Sequence, residues 1–220
     1  MSDGTVDPSL QRAIEALVVP GLLIGHRVIS QGDELELLHE EMASLSFHAI
    51  ERCRAAGAAR CVARQLMNSM GFVGLPILRS TFGSPIWPAG VVGSMAHDDR
   101  IAVAAVGLRR DLDAVGIDIE PAAPLPPDML ELITTPRERH AIADNPLGAN
   151  LLFAIKEAVY KAAYPLDYEF LEFHDIEVDL AGRLATTRAG RTLALHWCVF
   201  SHVLVVATVQ KASMVHLPSS

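Results

Sequence analysis

Two apolar runs, VVGSMA (91–96) and RIAVAAVGL (100–108), flank the short polar segment His97-Asp98-Asp99. Strand-forming runs joined by three polar residues read as an antiparallel hairpin. A third run, AVGIDIE (114–120), ends at the proline-rich stretch PAAPLPP, and the tail carries three more: FHDIEVDL (173–180), LALHWCVF (193–200) and VLVVATVQ (203–210). Hairpin spacing makes these sheets antiparallel, so the chain reads as α+β rather than doubly wound. Half the residues are hydrophobic and a fifth are charged, enough to build a sizeable core and too apolar for wholesale disorder.

Helices fill the intervals. Residues 34–70 have helical composition interrupted by Gly57, and 71–88 form a loop-rich stretch with three glycines and three prolines. Thr135-Pro136-Arg137-Glu138 is a helix start: Thr135 caps, Pro136 takes the first helical position, and Glu138 completes a capping box. A second helix is predicted from near Asn145-Pro146 to about Tyr164, where Pro165 stops it. Residues 108–113 read as a passage between two loosely similar α/β halves, 1–110 and 111–220.

Several function classes recede at once. A net charge of −8 gives no footprint for nucleic acid. Cys53, Cys61 and Cys198 form no CxxC pair, so they read as reduced thiols rather than a disulfide framework or zinc site. The acidic start MSDGTVDPS lacks the features of a signal peptide, no stretch is long enough to span a membrane, and the cytoplasm is the expected location. Walker A, GxGxxG and GxSxG motifs are missing.

The chemistry-bearing residues fall into three groups. In AVGIDIE, Val115, Ile117 and Ile119 share one strand face, while Gly116, Asp118 and Glu120 share the other. Two carboxylates so placed repel unless neutralised. They read either as ligands for a hard cation such as magnesium or as two solvated acids at a strand end. On a helix over 150–164, Lys156, Glu157 and Lys161 lie on the polar arc opposite Leu152, Ile155, Ala158, Val159 and Ala162. Glu157 and Lys161 are either an ordinary surface pair or an acid and a cation of an active site. Arg60 and Arg64, beside Arg52 and Arg54, make a basic patch suited to phosphate or simply a solvated face. His97 stands at a strand end as a phosphate contact or a structural histidine.

The order of these segments resembles the phosphopantetheinyl transferase family, in its larger monomeric branch serving siderophore, peptide and polyketide assembly. GSMAH (93–97), GIDIE (116–120) and FAIKEAVYKA (153–162) match its three motifs, PIWP (85–88) its proline-tryptophan-proline lead-in, and ARCVAR (59–64) its arginine motif. The resemblance runs from about Arg52 to Phe173. It implies a pseudo-twofold pair of α/β halves, each a mostly antiparallel sheet on a long helix, with the cofactor in the cleft between them. Asp118, Glu120 and Glu157 would be magnesium ligands. Lys161, with its neighbour Lys156, would meet the pyrophosphate of coenzyme A. Ser94 and His97 would contact its phosphates, Gly83-Ser84-Pro85 would lie near the nucleotide, and Arg60 would hold its terminal phosphate with Arg64 assisting. Four departures stand out: Ala59 replaces a glycine, Ser84 removes a lysine's charge, Asp98 adds a negative charge beside His97, and Ile155 replaces the usual small residue before the Lys-Glu pair.

The activity implied is transfer of 4′-phosphopantetheine from coenzyme A to a serine of an apo acyl, peptidyl or aryl carrier protein, with release of 3′,5′-ADP. Glu157, then Glu120, is the expected base. PAAPLPPDMLELI (121–133) is either the carrier-docking surface or an ordinary proline-rich turn. Two rivals remain: a magnesium-dependent nucleotide pyrophosphate hydrolase, which would use the same carboxylates with water as nucleophile, and a non-catalytic module binding coenzyme A or carrier protein, which would need no metal triad.

Overall fold

The computed structural model describes residues 6–46 and 49–211. Its elements run α1 (Pro8–Ala16), β1 (Leu22–Val28), α2 (His39–Ser44), α3 (Ile50–Ser69), β2 (Leu78–Arg79), β3 (Pro85–Ile86), β4 (Val91–His97), β5 (Ile101–Leu108), β6 (Leu112–Pro121), α4 (Met129–Ile133), α5 (Pro136–Ala141), α6 (Gly148–Asp167), β7 (Ile176–Asp179), β8 (Leu184–Thr187), β9 (Thr192–Val199) and β10 (His202–Gln210). Short 3-10 turns precede α2 (Asp33–Glu36) and β7 (Phe173–Asp175). The α+β expectation holds. One sheet has the order β1-β5-β4, another β6-β10-β9-β8-β7, and β2-β3 form a small ribbon, all with antiparallel pairing.

The period-2 pattern of β6 decides how the layers stack. Val115, Ile117 and Ile119 enter a core with Val92 and Ala96 of β4, Ile101, Val103 and Ala105 of β5, and Leu204 and Val206 of β10. The two sheets therefore share one apolar filling. Each turns its other face to a 20-residue helix: Val62, Ala63 and Met67 of α3 pack on Val91, Ala104 and Val106, and Leu152, Ile155, Ala158, Val159 and Ala162 of α6 pack on Ala114, Leu195, Val205 and Ala207. Burying apolar area on this scale is the main stabilising contribution.

Three boundaries differ from expectation. The α6 helix contains Pro165 and continues to Asp167. A proline within a helix removes one backbone donor, but this one lies close to the end. The turn closes behind it, with Tyr168 N donating to Tyr164 O at 2.8 Å and Tyr168 in the left-handed conformation. Gly57 lies inside α3 and does not break it. Phe173–Asp175 is a 3-10 turn, so strand β7 starts later than predicted. The capping box at Thr135 and Glu138 forms as expected, with Thr135 N donating to Glu138 Oε2 at 2.8 Å and Glu138 N donating to the Thr135 hydroxyl at 3.3 Å. No helix among the described residues is long and apolar enough to cross a membrane.

Candidate active site

The site is built where α6 crosses the face of β6 that carries Gly116, Asp118 and Glu120. A Cβ at Gly116 would lie 1.8 Å from Ala158 O, so only glycine lets the helix come this close. Ala158 and Ala162, fully buried, keep the helix side of the contact equally thin. The approach sets Lys161 against the strand: Nζ donates to Asp118 Oδ1 at 2.6 Å and to Ile117 O at 3.2 Å. Asp118 is 5 % exposed, which overturns the solvated-acid reading for this residue. Its second oxygen, Oδ2, is buried without a hydrogen-bond partner. Such an orphan is costly unless something completes it.

Burial and mutual repulsion perturb all three acids. Burial raises Asp118 above its ordinary value, with Lys161 pulling the other way. Burial, then the charge of Asp118, push Glu120 up to about 7, and Glu157 adds to the push. Burial likewise raises Glu157, opposed by Lys161 and reinforced by Asp118. Groups this perturbed mark functional sites. The donor set is all oxygen, the type that magnesium selects, and the orphaned Oδ2 fits a cation. The fit is partial: among the described residues no three His, Cys, Asp or Glu side chains are grouped closely enough to hold a metal by themselves. Ligand and water oxygens would have to supply the rest.

Two cavities lie along α6 next to this site. The larger, about 680 Å³, lies between the halves and is lined by Arg79, Gly83, Ser84, Pro85, Ser94, Arg109, Tyr160 and Lys161, among others. Gly83, at φ +95°, needs the left-handed region that glycine tolerates, and the Arg79 guanidinium lies 3.0 Å from where its Cβ would be. The second cavity, about 440 Å³, is lined by Glu157, Tyr160, Leu132, Phe170, Leu171 and Phe173, with the stem of Lys156. Tyr160 borders both, and Glu157 and Lys161, four residues apart on α6, line one cavity each.

Three expected phosphate contacts are corrected. Lys156 is fully buried, and its ammonium donates to Ile133 O at 2.9 Å, Glu138 Oε2 at 2.8 Å and Phe173 O at 2.9 Å. All three protons are used, so Lys156 holds the fold together and has no free donor for a pyrophosphate. Arg60 is also buried, with Nε donating to Ile77 O at 2.9 Å and Nη1 to Ala56 O at 3.3 Å. Burial lowers its pKa. Arg64 donates to Glu41 Oε2 at 2.6 Å and Glu36 O at 2.5 Å. Both arginines are turned into the N-terminal half because α3 is alanine-rich and buried nearly all round.

His97 is exposed at the end of β4, with Nδ1 3.2 Å from Asp98 O, and its charge reaches Asp118. In the loop after Glu120, Leu125, Met129 and Leu130 pack against the core while Leu132 stays 56 % exposed. The proline-rich turn is thus mostly anchored, with Asn150 Nδ2 donating to Pro121 O at 2.8 Å and Ala123 O at 2.6 Å. Sequence reasoning missed Arg79, Asn150 and Tyr160. Tyr160 had a signal, since it stands between Glu157 and Lys161 on the polar arc.

Residues 40–107 match the model of the 4′-phosphopantetheinyl transferase N-terminal domain, and residues 114–212 match that of the 4′-phosphopantetheinyl transferase superfamily. The chain is similar to 4′-phosphopantetheinyl transferase Svp of Streptomyces mobaraensis, 37 % identical over 66 % of this chain and 62 % of that protein. It is similar to Npt of Nocardia iowensis, 39 % identical over 56 % of each chain. It is also similar to PptT of Mycobacterium tuberculosis, 35 % identical over 64 % of each. The matches span 56 to 64 % of the length of these three relatives.

Proposed function

Since the chain belongs to the 4′-phosphopantetheinyl transferase superfamily, we propose that it transfers 4′-phosphopantetheine from coenzyme A to a serine of an apo carrier protein, releasing 3′,5′-ADP. The observation that carries this reading is the perturbed acid group on β6 and α6, with Glu157 and Lys161 of α6 each lining one of two unlike cavities that share Tyr160. The larger cavity has Arg79, Arg109 and Lys161 on its walls, a cationic lining for the nucleotide phosphates. The smaller is walled by Leu132, Phe170, Leu171 and Phe173, suited to the less polar pantetheine arm. A diphosphate reaching from one to the other would pass Glu157, Tyr160 and Lys161, with Asp118 held against Lys161. This makes the cleft between two halves, read as a pseudo-twofold pair (1–110 and 111–220), the donor site.

Asp118 would offer magnesium its unpartnered oxygen, and Glu120 and Glu157 would join it together with diphosphate and water oxygens. The bound cation would neutralise and orient the diphosphate. Lys161 supplies positive charge beside Asp118, where the leaving phosphate gathers negative charge. Ser94 and His97 approach from β4, and Arg79 with Gly83-Ser84-Pro85 forms the nucleotide wall in place of Arg60 and Arg64. Glu157 lines the smaller cavity and accepts the proton of the attacking serine. The serine oxygen bonds to the β-phosphorus, the bridging P–O bond breaks, and 3′,5′-ADP leaves. The chain would work as a monomer in the cytoplasm, within siderophore, peptide or polyketide assembly.

The test is incubation with coenzyme A, magnesium and a panel of apo-carrier domains. The expected result is a carrier mass gain of one phosphopantetheine, with 3′,5′-ADP appearing only when carrier is present. Release of 3′,5′-ADP without carrier would make the protein a hydrolase. Coenzyme A binding with neither product would make it a binding module.

A further inference from the structure

Asp98, the acid that departs from the family pattern beside His97, uses both carboxylate oxygens within the protein. Its Oδ1 accepts from Arg100 N at 2.7 Å and Ile101 N at 2.6 Å, and its own N–H donates to Ile101 O at 3.0 Å. These bonds close the β4–β5 turn as an aspartate turn. Its Oδ2 lies 3.0 Å from His202 Nε2, with the two side chains 9 % and 6 % exposed. His202 opens β10 in the other sheet, and its Nδ1 lies 3.0 Å from Ser201 Oγ, so both ring nitrogens are engaged. The ladder pairs His202 with Pro121 and Val203 with Glu120.

The pair thus joins the turn that carries His97 to the strands that carry Asp118 and Glu120. The apolar core between the sheets is non-directional and cannot by itself fix the height or tilt of an exposed turn. A buried, charge-assisted hydrogen bond can. His97 depends on the same residue, because its Nδ1 contacts the main-chain oxygen of Asp98. We propose that Asp98 and His202 are positioning residues: together they hold His97 against a phosphate of the coenzyme A donor. The carboxylate accepts from two amides and faces His202, while its charge still reaches Glu120. This inference rests on the reading of the cleft as a coenzyme A site.

The experiment measures coenzyme A affinity by calorimetry in the presence of magnesium, using the full chain. His97→Ala is expected to weaken binding about tenfold, and His202→Ala about fivefold, the scale of one net hydrogen bond. In the double variant the losses should not add, because a misplaced His97 and a missing one are equivalent. His202→Gln, whose amide can still donate to Asp98, should regain most of the affinity. Asp98→Asn keeps the turn acceptor and should lose about two- to threefold. Affinity unchanged in His202→Ala, or a double variant that loses the product of the two single effects, overturns the proposal. If the wild-type protein fails to bind coenzyme A, the reading of the cleft falls and the positioning role falls with it. Binding by wild type with His202→Ala unmoved sinks the pair alone.

Discussion

Two buried glutamates, one in each half, do the same job with the same atoms. Glu41, in the first turn of α2, accepts from Leu38 N (2.9 Å) and Arg64 Nη1 (2.6 Å) on Oε2, and from Ile77 N (2.9 Å) on Oε1. Glu138, in the first turn of α5, accepts from Thr135 N (2.8 Å) and Lys156 Nζ (2.8 Å) on Oε2, and from Val178 N (2.9 Å) on Oε1. Each closes the start of a short helix, draws in a cation from a 20-residue helix, and ties down an incoming segment. What differs is the next residue on the long helix. Gln65 follows Arg64, whereas Glu157 follows Lys156 and lines a cavity. The same carboxylate arrangement thus occurs twice, and only at Glu138 does the residue after the paired cation bring an acid to a cavity.

The largest expected effect tests that division of labour. Asp118→Ala and Glu157→Ala, both in the C-terminal half, should each cut transfer roughly 10²–10³-fold or more, the scale of losing a transition-state contact. The fold should survive, because Lys161 is 29 % exposed and can turn to water once Asp118 is gone. Steady-state transfer to an apo-carrier, with circular dichroism as the control, checks both. Wild-type rates in either variant would remove that acid from the chemistry.

The two glutamates should then separate on stability. The Lys156 side chain is 0 % exposed and that of Arg64 is 12 % exposed. Glu138→Ala strands a buried ammonium and should cost about 3–5 kcal/mol. Glu41→Ala leaves an arginine that can reach water, so its cost should be about 1–3 kcal/mol, mostly from unpaired amides. Urea titrations of the two variants decide the matter. Equal losses would show that the burial of the cation is not what distinguishes the halves.

These pairings also mark where sequence reading stops. The β6 face was legible because strand side chains alternate, and the position of Glu157 and Lys161 because α6 is amphipathic. The cap at Thr135 was legible because its chemistry is local. The same helical arc placed Lys156 with Glu157 and Lys161, yet Glu138, 18 residues away, takes it inward. Likewise α3 is so rich in small residues that no polar face announces itself, and Arg60 and Arg64 gave no sign of being turned inward. The Asp98–His202 bond spans 104 residues of chain and has no local signal.

A smaller effect is expected on the nucleotide wall of the N-terminal half. Arg79 lines the large cavity, so Arg79→Ala should raise the KM for coenzyme A about tenfold, worth about 1.4 kcal/mol, and leave kcat nearly unchanged. That split is the signature of a group that binds ground state and transition state alike. A fall in kcat with KM unmoved would place Arg79 in the chemistry and blur the contrast between the halves.

The smallest effect distinguishes a structural arginine from a ligand contact. Arg60 is buried, and its two recorded bonds go to the carbonyls of Ile77 and Ala56. Arg60→Met keeps the apolar stem in place and deletes only the charge and the donors. Ile77 O then loses its side-chain partner, a loss of about 1 kcal/mol, visible as a lower urea midpoint. The KM for coenzyme A should stay at the wild-type value, because the guanidinium faces the protein and the cavity lining contains Arg79 in its stead. A tenfold rise in KM at unchanged stability would reverse the assignment: it would mean that Arg60 leaves its carbonyls for the phosphate when coenzyme A binds, and that α3 supplies substrate contacts as α6 does.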